Sequence, residues 1–95
     1  MAFPGGLGVS RLLCAVFRSR RNADTYLFVD HQEGFARVPD ALLREFGTAE
    51  RAMTLALTPE RKLARARAMD VIRAISEQGF YLQMPPVGPE HSGAS

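Results

Sequence analysis

One cysteine, two histidines and one lysine are all that this 95-residue chain holds of three residue types on which site chemistry often depends. With a single thiol no internal disulfide forms, and no second sulfur completes a thiolate metal pair. Cys14 lies inside an apolar run, where a buried structural thiol is the expected role. His31 falls in a turn and His91 in the last stretch, so no paired-histidine metal motif exists. Also missing is any apolar run approaching the ~20 residues that span a bilayer. The first ten residues have neither the basic nor the long apolar region of a secretory signal. A cytoplasmic protein with no membrane partner is expected. The chain lacks a Gly-rich phosphate loop leading into a helix and a serine in a nucleophile elbow. Asp40 and Glu45 flank a short helix and read as surface charges. The expectation is therefore no enzyme, no cofactor and no metal site.

What is present describes one small domain. The apolar fraction is 46% and the charged fraction 23%, both near globular averages, which excludes disorder of the whole chain. Net charge is +2, with eleven arginines against the one lysine. Arginine suits bidentate contacts with carboxylate or phosphate, so acidic proteins and nucleic acid are both candidate partners. Residues 1–10 are Gly-rich and read as a flexible leader, residues 11–86 as the domain, and the Pro/Gly/Ser-rich residues 87–95 as a disordered tail.

Taken in order, Arg11 to Arg18 reads as a strand with apolar side chains on both faces, which places it in a sheet interior. Ser19 to Asp24 is a polar connection short enough for a hairpin, and Thr25 to Asp30 is the second strand. Asp30 to Gly34 is a turn. Pro39-Asp40 opens a short helix carrying Ala41, Leu42, Leu43 and Phe46, which Gly47 ends. Ala52 to Leu57 is a third strand, with Met53, Leu55 and Leu57 pointing inward. Thr58-Pro59-Glu60 has the hydroxyl, proline and acid of a helix start. At about 100° per residue, Leu63 lies roughly 130° from the stripe of Ala64, Ala68, Val71, Ile72 and Ile75. A break near Leu63 to Arg67 is therefore expected, giving a short helix and then a longer one to Gln78. Gly79 fits the left-handed position that closes a helix. Phe80, Leu82 and Met84 alternate with Tyr81 and Gln83 in a last strand, which Pro85-Pro86 ends. The expected fold is α+β: a mainly antiparallel sheet of about four strands packed on helices, in the order β-β-α-β-α-α-β.

These residues resemble a known family. Cys14-Ala15-Val16-Phe17-Arg18-Ser19 with Thr25-Tyr26-Leu27-Phe28-Val29 resembles the opening hairpin of the YcgL-domain family of proteobacteria. Arg37-Val38-Pro39, Phe46-Gly47, Met53-Thr54-Leu55, Arg61-Lys62-Leu63-Ala64 and the stretch from Gln78 to Pro86 are similar to its later motifs. The likeness runs from about Leu12 to Pro86, and Gly79-Phe80-Tyr81-Leu82-Gln83 is its most specific part. Phe17 stands where many relatives carry tyrosine, and Met1 to Ser10 has no counterpart. The resemblance implies a small α/β sandwich in the order just given. It implies no activity, because the family has no established one.

Two functional readings remain, both of a binding domain. The first is a protein-interaction or adaptor module, using the free edges of a small sheet, the proline-ended last strand and a mixed patch of Leu63 with Arg61 and Arg65. Its protein partner and oligomeric state are unknown at this level. The second is a nucleic-acid-binding module, with Arg18, Arg20 and Arg21 clustered at the hairpin and Tyr26, Phe28, Phe80 and Tyr81 as stacking faces. Against it, each of those aromatics also fits a buried strand face, and no RNP-like motif or GXXG loop is present. The candidate binding residues are Arg18, Arg20, Arg21, Tyr26, Leu63, Arg65 and Tyr81.

Overall fold

A computed structural model describes residues 11–63 and 65–85. The expected leader, Ala64, Pro86 and the expected tail with His91 lie outside the described residues. The element order is β1 (Leu12–Ser19), β2 (Tyr26–Asp30), α1 (Asp40–Phe46), β3 (Ala49–Leu57), α2 (Ala68–Gln78) and β4 (Phe80–Gln83). All pairings are antiparallel, in the order β3-β1-β2-β4. The α+β class is as expected, and β1 is indeed an interior strand.

Alternation along each strand divides the apolar side chains between two cores. On one face Cys14, Val16, Phe28, Leu55 and Leu57 meet Ala68, Val71, Ile72 and Ile75 of α2. On the other, Ala15, Leu27 and Val29 meet Val38 and Phe46, with Leu42 and Leu43 of α1 packed beside them. The sheet is thus covered by one helix on each side. This explains why β1 and β2 are apolar on both faces.

Four local expectations need correction. The short helix from Thr58 is absent: Arg61 N–H donates to the Thr58 carbonyl in a turn, and Lys62 and Arg67 form an isolated bridge. A helix of that length offers few hydrogen bonds against a costly nucleus, and Leu63 packs on the α2-side core from a loop instead. The third strand starts at Ala49, three residues earlier than its alternation suggests, because a bulge opposite Val16/Phe17 breaks the period of two. Met53 is 52% exposed rather than inward. Pro39, finally, is the N-cap of α1 and not its first residue.

The connection after β1 ties the sheet to α1. Ser19 Oγ, buried, donates to the Phe46 carbonyl at 2.6 Å and accepts from the backbone N–H groups of Arg21 and Asn22 at 3.2 and 2.8 Å. Arg21 Nη1 donates to the Arg44 carbonyl and Asn22 Nδ2 to the Glu45 carbonyl, each at 2.9 Å. The last carbonyls of α1, which have no partner within the helix, are thereby satisfied by the hairpin. Ser19→Ala removes the hub of these bonds and is expected to cost about 2 kcal/mol. A urea midpoint within error of the wild type would show that the hub is dispensable.

Candidate functional site

Of the depressions at the hairpin end of the sheet, two flank the Ser19 to Asp24 connection, with Ala23 lining both. On the α1 side is a cleft of about 440 Å³. Leu42 and Phe46 of α1 and Leu82 and Met84 at the end of β4 supply its apolar lining, while Arg21, Asn22 and Glu45 supply polar groups. Alternation places Leu82 on this face of β4, and β4 is a sheet edge. Met84, just past the strand, is 60% exposed.

The α2-side depression is polar. It is lined by Arg18, Arg20, Asp24, Tyr26 and Glu50. The pairing of β1 with β3 sets Arg18 directly opposite Glu50. Arg18 Nη2 donates to Glu50 Oε1 at 2.6 Å, and Arg20 Nη1 lies 3.9 Å from Glu50 Oε2. The hydrogen bond from Arg18, and then its charge, hold the Glu50 carboxyl below the usual carboxylate range; the same pairing raises Arg18. Arg65, from the loop before α2, reaches the Asp24 carbonyl at 3.5 Å and brings a third guanidinium to this rim.

The candidate residues therefore separate. Arg18, Arg20, Tyr26 and Arg65 gather at the polar depression. Arg21 lies across the connection, where its guanidinium caps α1. Leu63 and Tyr81 pack against the α2-side core, and Tyr81 meets Phe28 edge-on with ring centroids 5.9 Å apart. Phe80 packs on the opposite core, so of these aromatics only Tyr26, Phe28 and Tyr81 share a face. Glu50 and the cleft residues Leu42, Phe46, Leu82 and Met84 are absent from the sequence-derived set. Reading β3 from Ala49 would have flagged Glu50 as a strand residue, but not its partner. The cleft has no local signal, because its walls come from three separate segments.

Cys14 offers no nucleophile. It is fully buried, and desolvation, with a smaller contribution from the Asp30 carboxylate, pushes its thiol up to about 11 against an opposing pull from Arg61. At neutral pH the thiolate fraction is then on the order of 1 in 10⁴. Native protein is expected to resist a thiol-specific disulfide reagent at pH 7 and to react at once in denaturant. Labelling of the native protein at the denatured rate would contradict the burial. Among the described residues, no group of three or more His, Cys, Asp or Glu side chains is placed to hold a metal ion. Among the same residues, no helix is long and apolar enough to cross a membrane.

The model of the YcgL domain matches residues 14–86, which takes in both depressions. The chain belongs to the YcgL domain family. A YcgL domain-containing protein of Chromohalobacter salexigens is 49% identical over 78 residues, covering 82% of this chain and 81% of that protein. One from Pseudomonas aeruginosa is 47% identical over 79 residues, covering 83% and 81%, and one from Aeromonas salmonicida is 48% identical over 75 residues, covering 79% and 82%. The names of these relatives state the YcgL domain and no activity.

Proposed function

We propose that this YcgL domain is a cytoplasmic, non-catalytic protein-interaction module that seats an extended segment of a partner protein along the outer edge of β4. The observation that carries this reading is the cleft floored by Leu42, Phe46, Leu82 and Met84 beside that edge. A strand edge offers backbone donors and acceptors, and a flanking apolar cleft takes alternate side chains of an added strand. The aromatic geometry favours this reading over a nucleic-acid module. Phe28 is buried, Tyr26 and Tyr81 are half-buried against the α2-side core, and Phe80 packs on the opposite face.

The test is selection of short displayed peptides on the folded domain, followed by mapping of binders by backbone amide shifts. Binders are expected to alternate apolar residues, to shift resonances of α1 and β4, and to lose at least tenfold in affinity on Met84→Asp. Met84 is exposed, so this variant keeps the fold. Binders that map elsewhere, or that bind Met84→Asp equally well, would remove the cleft from the function.

A further inference from the structure

The polar depression beyond the hairpin connection holds a carboxylate of the protein's own between two guanidiniums. Glu50 takes one hydrogen bond from Arg18 and a longer ionic contact from Arg20. Arg18 thus uses one of five N–H donors on a side chain that stays 55% exposed, and Arg20 remains 64% exposed with no side-chain hydrogen bond among the described residues. An exposed ion pair of this kind is weak and easily exchanged for another carboxylate. Arg65 adds a third guanidinium at Asp24. The depression shares Ala23 with the apolar cleft, so a segment crossing the connection meets both.

We propose that the Arg18/Arg20 depression is a socket for a carboxylate side chain of the partner, with Glu50 as the resident group that the partner's acid displaces. This rests on the protein-interaction reading and adds its recognition chemistry: a partner segment with apolar residues for the cleft and an Asp or Glu a few residues away. Carboxylate is favoured over phosphodiester because the group already seated there is a carboxylate, held by a charge-assisted hydrogen bond from Arg18.

The experiment titrates labelled full-length protein with acetylated hexaglutamate, with its hexaglutamine counterpart and with hexauridylate RNA, all at near-physiological salt. The proteins are wild type, Glu50→Gln and the double variant Arg18→Gln/Arg20→Gln. Hexaglutamate is expected to shift the Arg18 and Arg20 side-chain resonances and the amides of Ser19 to Tyr26. Glu50→Gln is expected to tighten that binding about three- to fivefold by removing the resident competitor, and the double arginine variant to abolish it. Hexaglutamine is expected to do nothing. Equal hexaglutamate affinity for wild type and Glu50→Gln overturns the proposal, as does absence of binding. Tighter binding of the RNA than of hexaglutamate, focused on the same arginines, overturns it in favour of a phosphate site. Hexaglutamate carries no apolar anchor, so its failure leaves the β4 cleft standing; failure of the Met84→Asp test removes the cleft and leaves the socket to be judged here.

Discussion

Shortening Leu27 to alanine is expected to destabilise the domain by about 3–4 kcal/mol, within the range for buried leucines. Leu27 is fully buried on the central strand β2, registered between Phe17 of β1 and Leu82 of β4. It belongs to the smaller of the two cores, with Ala15, Val29, Val38 and Phe46. Hydrogen bonding to both neighbouring strands keeps the sheet from collapsing into the void, so the cavity term is retained. In a domain of this size the melting temperature should fall on the order of 20 °C. Phe46 and Leu82 also line the cleft, and peptide affinity should fall with the loss of their support. Leu13→Ala is the control: that side chain is 49% exposed, and a change within about 0.5 kcal/mol is expected. If Leu27→Ala and Leu13→Ala had similar effects, the α1-side cluster would not be a packed core.

Gly79→Ala is the second large effect, at about 2–3 kcal/mol. Gly79 ends α2 at φ 96°, and its N–H donates to the Ile75 carbonyl. A side chain at positive φ costs about 1 kcal/mol by itself. Here an added Cβ would also overlap the Cβ of Arg37, whose Nη2 donates to the Glu77 carbonyl at 3.0 Å and so caps the helix. Because the overlap is with Cβ, Arg37→Ala would remove the cap without making room. Gly34 separates the two contributions: it has φ 57° and nothing within 4 Å of an added Cβ. Gly34→Ala should therefore show only the conformational cost of about 1 kcal/mol. Equal shifts in urea midpoint at the two glycines would show that the contact with Arg37 does not matter.

The stop at Gly79 was legible in the sequence because it is local: a periodic apolar stripe, then a glycine, then strict alternation. Its dependence on Arg37 was not, since that residue comes from a turn 40 positions before the Glu77 carbonyl it caps. Arg21 shows the same limit. In the sequence it is one more cation in an arginine cluster, and only the approach of α1 makes it a helix cap. The segment after Thr58 shows the opposite failure. Cap, proline and acid all favour a helix there, yet the Lys62–Arg67 bridge and the packing of Leu63 hold a loop. Local preference amounts to tenths of a kcal/mol per residue, which tertiary contacts outweigh.

The sequence by itself determined that this is a small α+β domain of the YcgL family, with two strands apolar on both faces and a helix closed by Gly79. These features depend on backbone conformations and side-chain periods that span a few residues. Only the tertiary structure decided the strand order β3-β1-β2-β4, the division of the apolar residues between two cores, the cleft between α1 and β4, and the placing of Glu50 between Arg18 and Arg20. Arg18 and Glu50 are 32 residues apart, and their meeting depends on the register of two strands. Register is set by burial of both sheet faces acting at once. No short stretch of the chain carries that information.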